Sequence, residues 1–471
     1  MLGPSLRRSL TRYNTLEIAM KRKRKFSSVV GLVFALASTP ILATVELEWV
    51  GLGEPPSSLV FRSVGVSEIP GAWASPSAAT EWPVEMNVDR LADLPDWIDL
   101  NLPDRGISTL TRDRGQIRGP GAFVWSGHGD GCSAIFTAYQ NRLMGTISCV
   151  DGSYRIALSP TGARLTRHVF GNTPPEAMDD VATVNGSPPM ALPEEFSSLD
   201  QPFTPLLDDR IDVLILYTPT VTQTVGSANV QMAMQHLADQ TQQAMINSAS
   251  SQTGFPLTGV HLVHAQEVPR GETETMGEDL LYLQGLDGTS LPVNIRDYWG
   301  ADIVMLVRES KSQGNCGKAY TPGFGGAPQP AGFAEFALGV SVRDCDLGDY
   351  SFQHEFGHIL GGNHNPESNS NTTPLVPWAQ AHWENPMASK KGGHRSLLSY
   401  KFDAQPPDPE CEGECPTVLH YANDQVDIFV DGVLFHTGGV NEENARVIAL
   451  VSPYAWHWRS SVDRIFADGF E

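Results

Sequence analysis

The spacing of apolar positions along this 471-residue chain changes near residue 210. Before that point, segments such as "GAFVWSG", "CSAIFTAY", "RLMGTISCV" and "SYRIALS" alternate apolar and polar side chains. Gly, Asp and Pro punctuate them, which predicts a meander of strands across a mainly β region, 44–172. Residues 173–208 hold seven prolines and almost no apolar period, the character of a linker or cleavable junction. From Ile211, "IDVLILYT" is a continuous apolar run fit for a buried strand. Val230, Met234, Leu237, Ala238 and Met245 then recur at helical spacing, predicting an amphipathic helix. "GVHLVHAQEV" alternates as a strand and "GEDLLYLQGL" reads as helical. "NIRDYWGADIVMLVRE" is a helix end running into a buried strand at 303–307, and "CGKAY" and "FALGVSVRD" add two more strands. This order implies an α/β (α+β) domain over 209–460: a mixed, mostly parallel twisted sheet with helices packed against it.

Composition adds an address and excludes partners. An apolar share of 41% with 18% charged residues describes a globular chain. A net charge of −22 argues against nucleic acid, whose binders carry a basic face. From Met20, "MKRKRKFSSVVGLVFALASTPILA" gives a basic stretch, an apolar run and small residues, the order of a secretory signal peptide ending near Ala43. The apolar run is short of the roughly 20 residues a membrane span needs. Residues 1–43 are therefore expected to be an N-terminal extension and signal, and the protein to be secreted by a bacterium, monomeric and without stable membrane association. The tail 461–471, ending "RIFADGFE", is short, acidic and aromatic. Six cysteines in an exported chain favour disulfides. Proximity suggests 132–149, 316–345 and 411–415, among 15 connectivities that six cysteines allow. A zinc site built from these thiols is the rival reading; for Cys132 and Cys149 a disulfide is likewise favoured over an inhibitory thiolate on a metal.

The chemistry is concentrated in "SFQHEFGHILGGNHN", 351–365. Residues four apart share a helix face, so His354 and His358 present their imidazoles together. A tetrahedral metal needs a third ligand. Gly361 and Gly362 tolerate the positive φ that ends a helix, letting the chain bring His364 back. Three protein ligands leave one position open for water. Glu355, beside the first histidine, is the expected general base toward a metal-activated water. Phe352, Phe356, Ile359 and Leu360 fall on the other faces and anchor the helix. His382, His394 and His420 are expected to be solvated loop histidines. "VDIFVDG" lacks the ligand spacing of a calcium loop, so Ca2+ binding is possible but unsupported and a solvated turn is expected.

The extended H-E-x-x-H-x-x-G-x-x-H pattern resembles the metzincin zinc metalloendopeptidases, and within them the reprolysin-like group, including the bacterial peptidyl-Asp metalloendopeptidase type. "IDVLILYTP" resembles that group's opening strand, "WGADIVMLV" its third, "CGKAY" its substrate-bearing edge strand and "NARVIALVSPYAWHWR" its closing segment. The resemblance implies Zn2+ on His354, His358 and His364, Glu355 as catalytic base, protein or peptide substrates, and a propeptide ahead of the catalytic domain, hence a zymogen. Two positions depart from it. Leu398 stands where a packed methionine turn is expected, and Asn365 where Asp usually follows the third histidine. Tyr400 sits where some metzincins place a tyrosine near the transition state; an ordinary half-buried tyrosine is the other reading. The function expected is a secreted zinc endopeptidase. The alternative is a catalytically silent metzincin-fold module that binds proteins or surfaces.

Overall fold

The computed structural model of the protein describes residues 59–63, 80–168, 181–183 and 210–459, apart from 104, 141, 150–151, 160–161, 250–258, 347–349, 367–373, 385–392, 400–415 and 431–432. The leader, Tyr400, the 411/415 cysteine pair and the C-terminal tail lie outside these residues.

The first half is a closed barrel of nine strands, β1 (Leu59–Ser63) to β9 (Gly162–His168), with the short helix α1 (Val88–Ala92) between its second and third strands. β1 pairs with strands on both sides, antiparallel to the second and parallel to the third, which closes the sheet. Closure removes the free edges that an open meander would expose. The alternation seen in the sequence sends Phe123, Trp125, Phe136, Leu143, Tyr154 and Ile156 inward. Within it, β6 (Cys132–Tyr139) and β7 (Arg142–Cys149) form an antiparallel pair closed by the Cys132–Cys149 disulfide. Phe136 lies over Gly145 on the facing strand, where an added Cβ would come within 2.5 Å of the ring.

The second half is a six-stranded mixed sheet in the order β10–β14–β15–β13–β11–β12. Its members are β10 (Val181–Ala182), β11 (Arg210–Tyr217), β12 (Gly259–Glu267), β13 (Ile303–Arg308), β14 (Gly317–Tyr320) and β15 (Leu338–Val342). Every neighbouring pair is parallel except β14 with β15. Continuous apolar runs become the strands buried on both faces: all of β13, and all of β11 except Arg210. Helices α2 (Pro219–Val225), α3 (Val230–Ser248), α4 (Met276–Leu283), α5 (Leu291–Trp299), α6 (Ser351–Ile359) and α7 (Asn444–Ala455) pack around it. Two small antiparallel strand pairs complete the second half, β16 (Trp383–Glu384) with β17 (His394–Arg395), and β18 (Asp427–Val430) with β19 (Val433–His436). Within "VDIFVDG", Asp427–Val430 is therefore a strand, and 431–432 lie outside the described residues. A second disulfide joins Cys316 to Cys345.

Helix α3 departs from the amphipathic pattern its apolar spacing predicts. Its polar residues His236, Asp239, Gln240 and Gln243 are buried as fully as its apolar ones. The barrel covers them. Both terminal nitrogens of Arg118 grip the Asp239 carboxylate, one of them at 2.9 Å. Thr137 donates to Asp239 at 2.7 Å, so its oxygen is left to accept from His236 Nδ1 at 3.0 Å. The other ring nitrogen, Nε2, then accepts from the Thr146 hydroxyl at 2.9 Å, and Gln240 donates to Thr146 at 3.1 Å. Ser126 donates to Gln243 at 2.8 Å. Every proton in this chain has one acceptor, which fixes His236 as neutral. Val124, Ile135 and Met144 on the outside of the barrel join the apolar core of the second half.

Burial pushes the His236 pKa down from 6.5 to about 3, partly opposed by Asp239. A histidine that must stay neutral when docked favours the docked state fully above its free pKa and loses that preference as pH falls. The unfolding free energy of the full chain, read from urea titrations, should therefore fall between pH 6.5 and pH 4, by up to about 1.4 kcal/mol per pH unit. His236→Gln should flatten that slope relative to the parent chain.

Candidate metal centre

The site is built at the end of α6. Tyr350 enters the helix in the left-handed conformation, φ 56°, with its hydroxyl bonded to Ser148 of β7. The helix runs only to Ile359 because Gly361, at φ 87°, reverses the chain. Gly361 N donates to His358 O and Gly362 N to Gly357 O, both at 2.9 Å, closing the helix end. Asn363 then pairs with the 379–381 segment, and Asn444 of α7 donates to the Asn363 carbonyl at 3.0 Å. These bonds hold His364 against the helix it has just left.

The three imidazoles converge. Nε2 of His358 lies 3.1 Å from that of His354 and 2.9 Å from that of His364, and the third pair is 3.4 Å apart. Nitrogens bound at about 2.0–2.1 Å to one tetrahedral ion sit roughly 3.3 Å from each other, so the triangle has the size a transition metal requires. The protonation pattern agrees. His354 Nδ1 faces the carbonyl of Leu397 at 2.8 Å and His358 Nδ1 that of Gly362 at 2.9 Å. A carbonyl only accepts, so each Nδ1 carries the proton and each Nε2 presents a lone pair. Lone pairs pointed at one another in a buried site fit a cation and repel without one. Among the described residues this is the one cluster of metal-ligating side chains.

Glu355 is buried beside the triad, its carboxylate lying beneath Gly317 at the start of β14. A Cβ at Gly317 would fall 2.1 Å from Oε1, so β14 passes this close only because that residue lacks a side chain. Phe352, Phe356, Ile359 and Leu360 are all fully buried, as their helical faces predict. Leu398 lies under the helix, and a Cβ on Gly357 would meet its Cδ1 at 2.7 Å and the Tyr421 ring at the same distance. Asn365 is buried.

The other three histidines are not the solvated loop residues the sequence suggests. His394 is fully buried, with its ring 6.0 Å from that of His382. Burial works to lower the His382 pKa, but bonds to Glu442 and the charge of Glu384 outweigh it and raise it. Burial, with His394 beside it, pushes His420 down to about 3. None of the three joins the triad. Residues that sequence reasoning missed act mostly through their backbones. Leu397 orients His354 with a carbonyl, a role any residue can fill, so no side-chain signal marks it. Tyr421 supports the helix by donating to the Gln353 carbonyl at 2.8 Å.

Residues 208–399 match the family described as Reprolysin_5, metallo-peptidase family M12. A protein named peptidyl-Asp metalloendopeptidase from Pseudomonas aeruginosa is 27% identical over 177 residues, 36% of this chain and 27% of that one. A protein of the same name from Stenotrophomonas maltophilia is 26% identical over 340 residues, covering 69% of this chain and 71% of its own length. This chain thus spans about a quarter of the first relative and most of the second.

Gly357 has no room above Leu398. Gly357→Ala should destabilise the chain by about 1–3 kcal/mol in urea unfolding, whereas Leu398→Met, which conserves volume, should cost less than about 1.5 kcal/mol.

Proposed function

We propose, from the match of residues 208–399 to the reprolysin-like metallo-peptidase family M12, that the chain is a zinc-dependent endopeptidase cleaving internal bonds of proteins. The observation that carries this reading is the convergence of three Nε2 atoms, those of His354 and His358 held proton-free by backbone carbonyls, with the Glu355 carboxylate buried under β14. His354, His358 and His364 are the three residues that would hold the zinc. Bound there, the ion supplies a Lewis acid and a more acidic water.

The remaining chemistry belongs to the chain. Glu355 takes the proton from the attacking water and returns it to the departing amine nitrogen, so water and peptide become an acid and an amine. The β14 edge offers the substrate backbone a strand to pair with. Gly317 lets the backbone of β14 itself lie against Glu355, which brings the base to the strand the substrate would pair with. Tyr400, outside the described residues, is the candidate donor to the oxyanion. The relatives' names make bonds beside aspartate the first to test.

The leader and the disulfides support export, and the barrel before the peptidase domain supports synthesis as a zymogen with metzincin architecture. A silent binding module has no use for Glu355, and nothing about the site favours it.

Glu355→Ala should lower kcat/KM on a casein-derived peptide by about 10²–10⁴ while leaving one zinc per chain. His358→Ala should lose the metal, measured by mass spectrometry of the metal content. A wild-type chain, activated by linker cleavage, that hydrolyses no peptide and is indifferent to a chelator overturns the endopeptidase reading.

A further inference from the structure

The Leu397 carbonyl, which aims the His354 ring, is itself held by a neighbouring segment. Leu397 N donates to the His420 carbonyl at 2.9 Å, while Arg395 N donates to the Pro416 carbonyl and Val418 N to that of Arg395. The 416–420 segment lies outside the helices and strands, so it takes its position from its neighbours. Its anchor is the last turn of α3. Asn247 Nδ2 donates to the Leu419 carbonyl at 3.0 Å. Just beyond, Tyr421 N donates to Ser248 Oγ and Asn423 Nδ2 to the Ser248 carbonyl, both at 2.7 Å.

Ser248 sends its own hydroxyl proton back into α3, to the Ala244 carbonyl. Asn247 leads outward instead. Its Oδ1 accepts from Gln243 Nε2 at 2.7 Å, and Gln243 Oε1 accepts at 2.8 Å from the hydroxyl of Ser126, on β5 (Ala122–Gly129) of the barrel. The direction of this run is fixed at one end. A carbonyl only accepts, so Leu419 takes the Asn247 nitrogen. That leaves the Asn247 oxygen for the Gln243 nitrogen, and the Gln243 oxygen for a hydroxyl proton. Ser126 and Gln243 are buried, so a lost partner leaves a polar atom short of a bond. A cleft of about 520 Å³ lies between the barrel and the 416–420 segment, and the same residues border it. The amide run is the solid connection beside that open space.

We propose that Asn247 is a positioning residue for the metal: it carries the seat of α3 against the barrel to the 416–420 segment, and so to the acceptor that sets the His354 ring. Without the Asn247 amide, the Leu419 carbonyl loses its donor and the adjacent His420 carbonyl its fixed place. Leu397 then shifts, and the Nε2 lone pair of His354 no longer points squarely into the triad. Partners beyond the ligands tune metal affinity because they hold a ring's direction and its proton. Asn247 acts through Leu397, so its effect falls on how tightly the ion is held and in what geometry, not on the proton transfers of Glu355. The role rests on the zinc reading of the triad.

Metal binding to the uncut full chain tests this without any peptide hydrolysis. Zinc affinity is read by competition with a chromophoric chelator, and ligand geometry by the visible d–d bands of the cobalt-loaded protein. Asn247→Leu, which removes both hydrogen-bonding ends, should weaken zinc by about three- to tenfold and change the cobalt bands. Ser126→Ala should weaken it less, and should add nothing in the Asn247→Leu background. A merely structural role would lower the urea midpoint and leave affinity and cobalt bands as in the parent. That result overturns the proposal, and additive losses in the double variant overturn the route from the barrel. If Asn247→Leu does not fold, Ser126→Ala decides alone, since it removes a single oxygen; unchanged affinity and bands then overturn the proposal. A parent that binds zinc but cleaves no peptide overturns the endopeptidase reading and leaves the positioning result standing. A parent that binds neither ion overturns the metal centre and the positioning role together.

Discussion

Two backbone carbonyls, those of Leu397 and Gly362, decide what the site is. Each accepts a hydrogen bond from an Nδ1 and so compels the opposite nitrogen to face inward without a proton. Everything around them keeps these acceptors in place. The glycine turn sets Gly362 within reach of His358, and Asn444 fastens the segment that follows. The 394–399 stretch carries Leu397, and it is tied through Leu397 N to the His420 carbonyl and through Arg395 to the 416–418 segment. The identity of Leu398 is secondary to this frame, because its task is to fill volume under Gly357. A methyl-bearing side chain of similar size meets that requirement.

The second organising contact is polar. Helix α3 shows one face to the sheet and the other to the barrel, and the barrel-facing side is closed by a directed run of hydrogen bonds from Gln240 to Asp239, which also accepts from Arg118. Such a run tolerates one arrangement of protons, so docking is specific in register as well as in position. Ser148, bonded to Tyr350 at the head of α6, extends the same contact toward the metal helix. The barrel thus touches both helices that back the site, while the stretch leaving it reaches the edge strand at the front.

Much of this was legible in the sequence because periodicity reports burial. The apolar runs of β11 and β13 named the central strands, the alternation at 122–159 named the barrel staves, and the histidine spacing named the triad, all from side-chain type alone. Three features escaped for definite reasons. The polar face of α3 looks solvent-exposed to any reading that treats polar as outside, since its partner lies about 100 residues away in the chain. His382, His394 and His420 are satisfied by neighbours brought close only by folding. The pairing of Val181 and Ala182 leaves no mark, because two small residues in a proline-rich stretch carry no period.

The chemistry of the α3 contact has a consequence for what happens when the two halves part. Most of what the helix presents there is amide, carboxylate and imidazole, groups that water hydrates readily. Separation therefore bares a wettable surface, with only a few aliphatic groups uncovered beside it. His236, relieved of its hydroxyl neighbours, regains an ordinary affinity for protons. The second half, shorn of its escort, would stay dispersed without having to rebuild its exterior, and so would the barrel, whose own edges are closed.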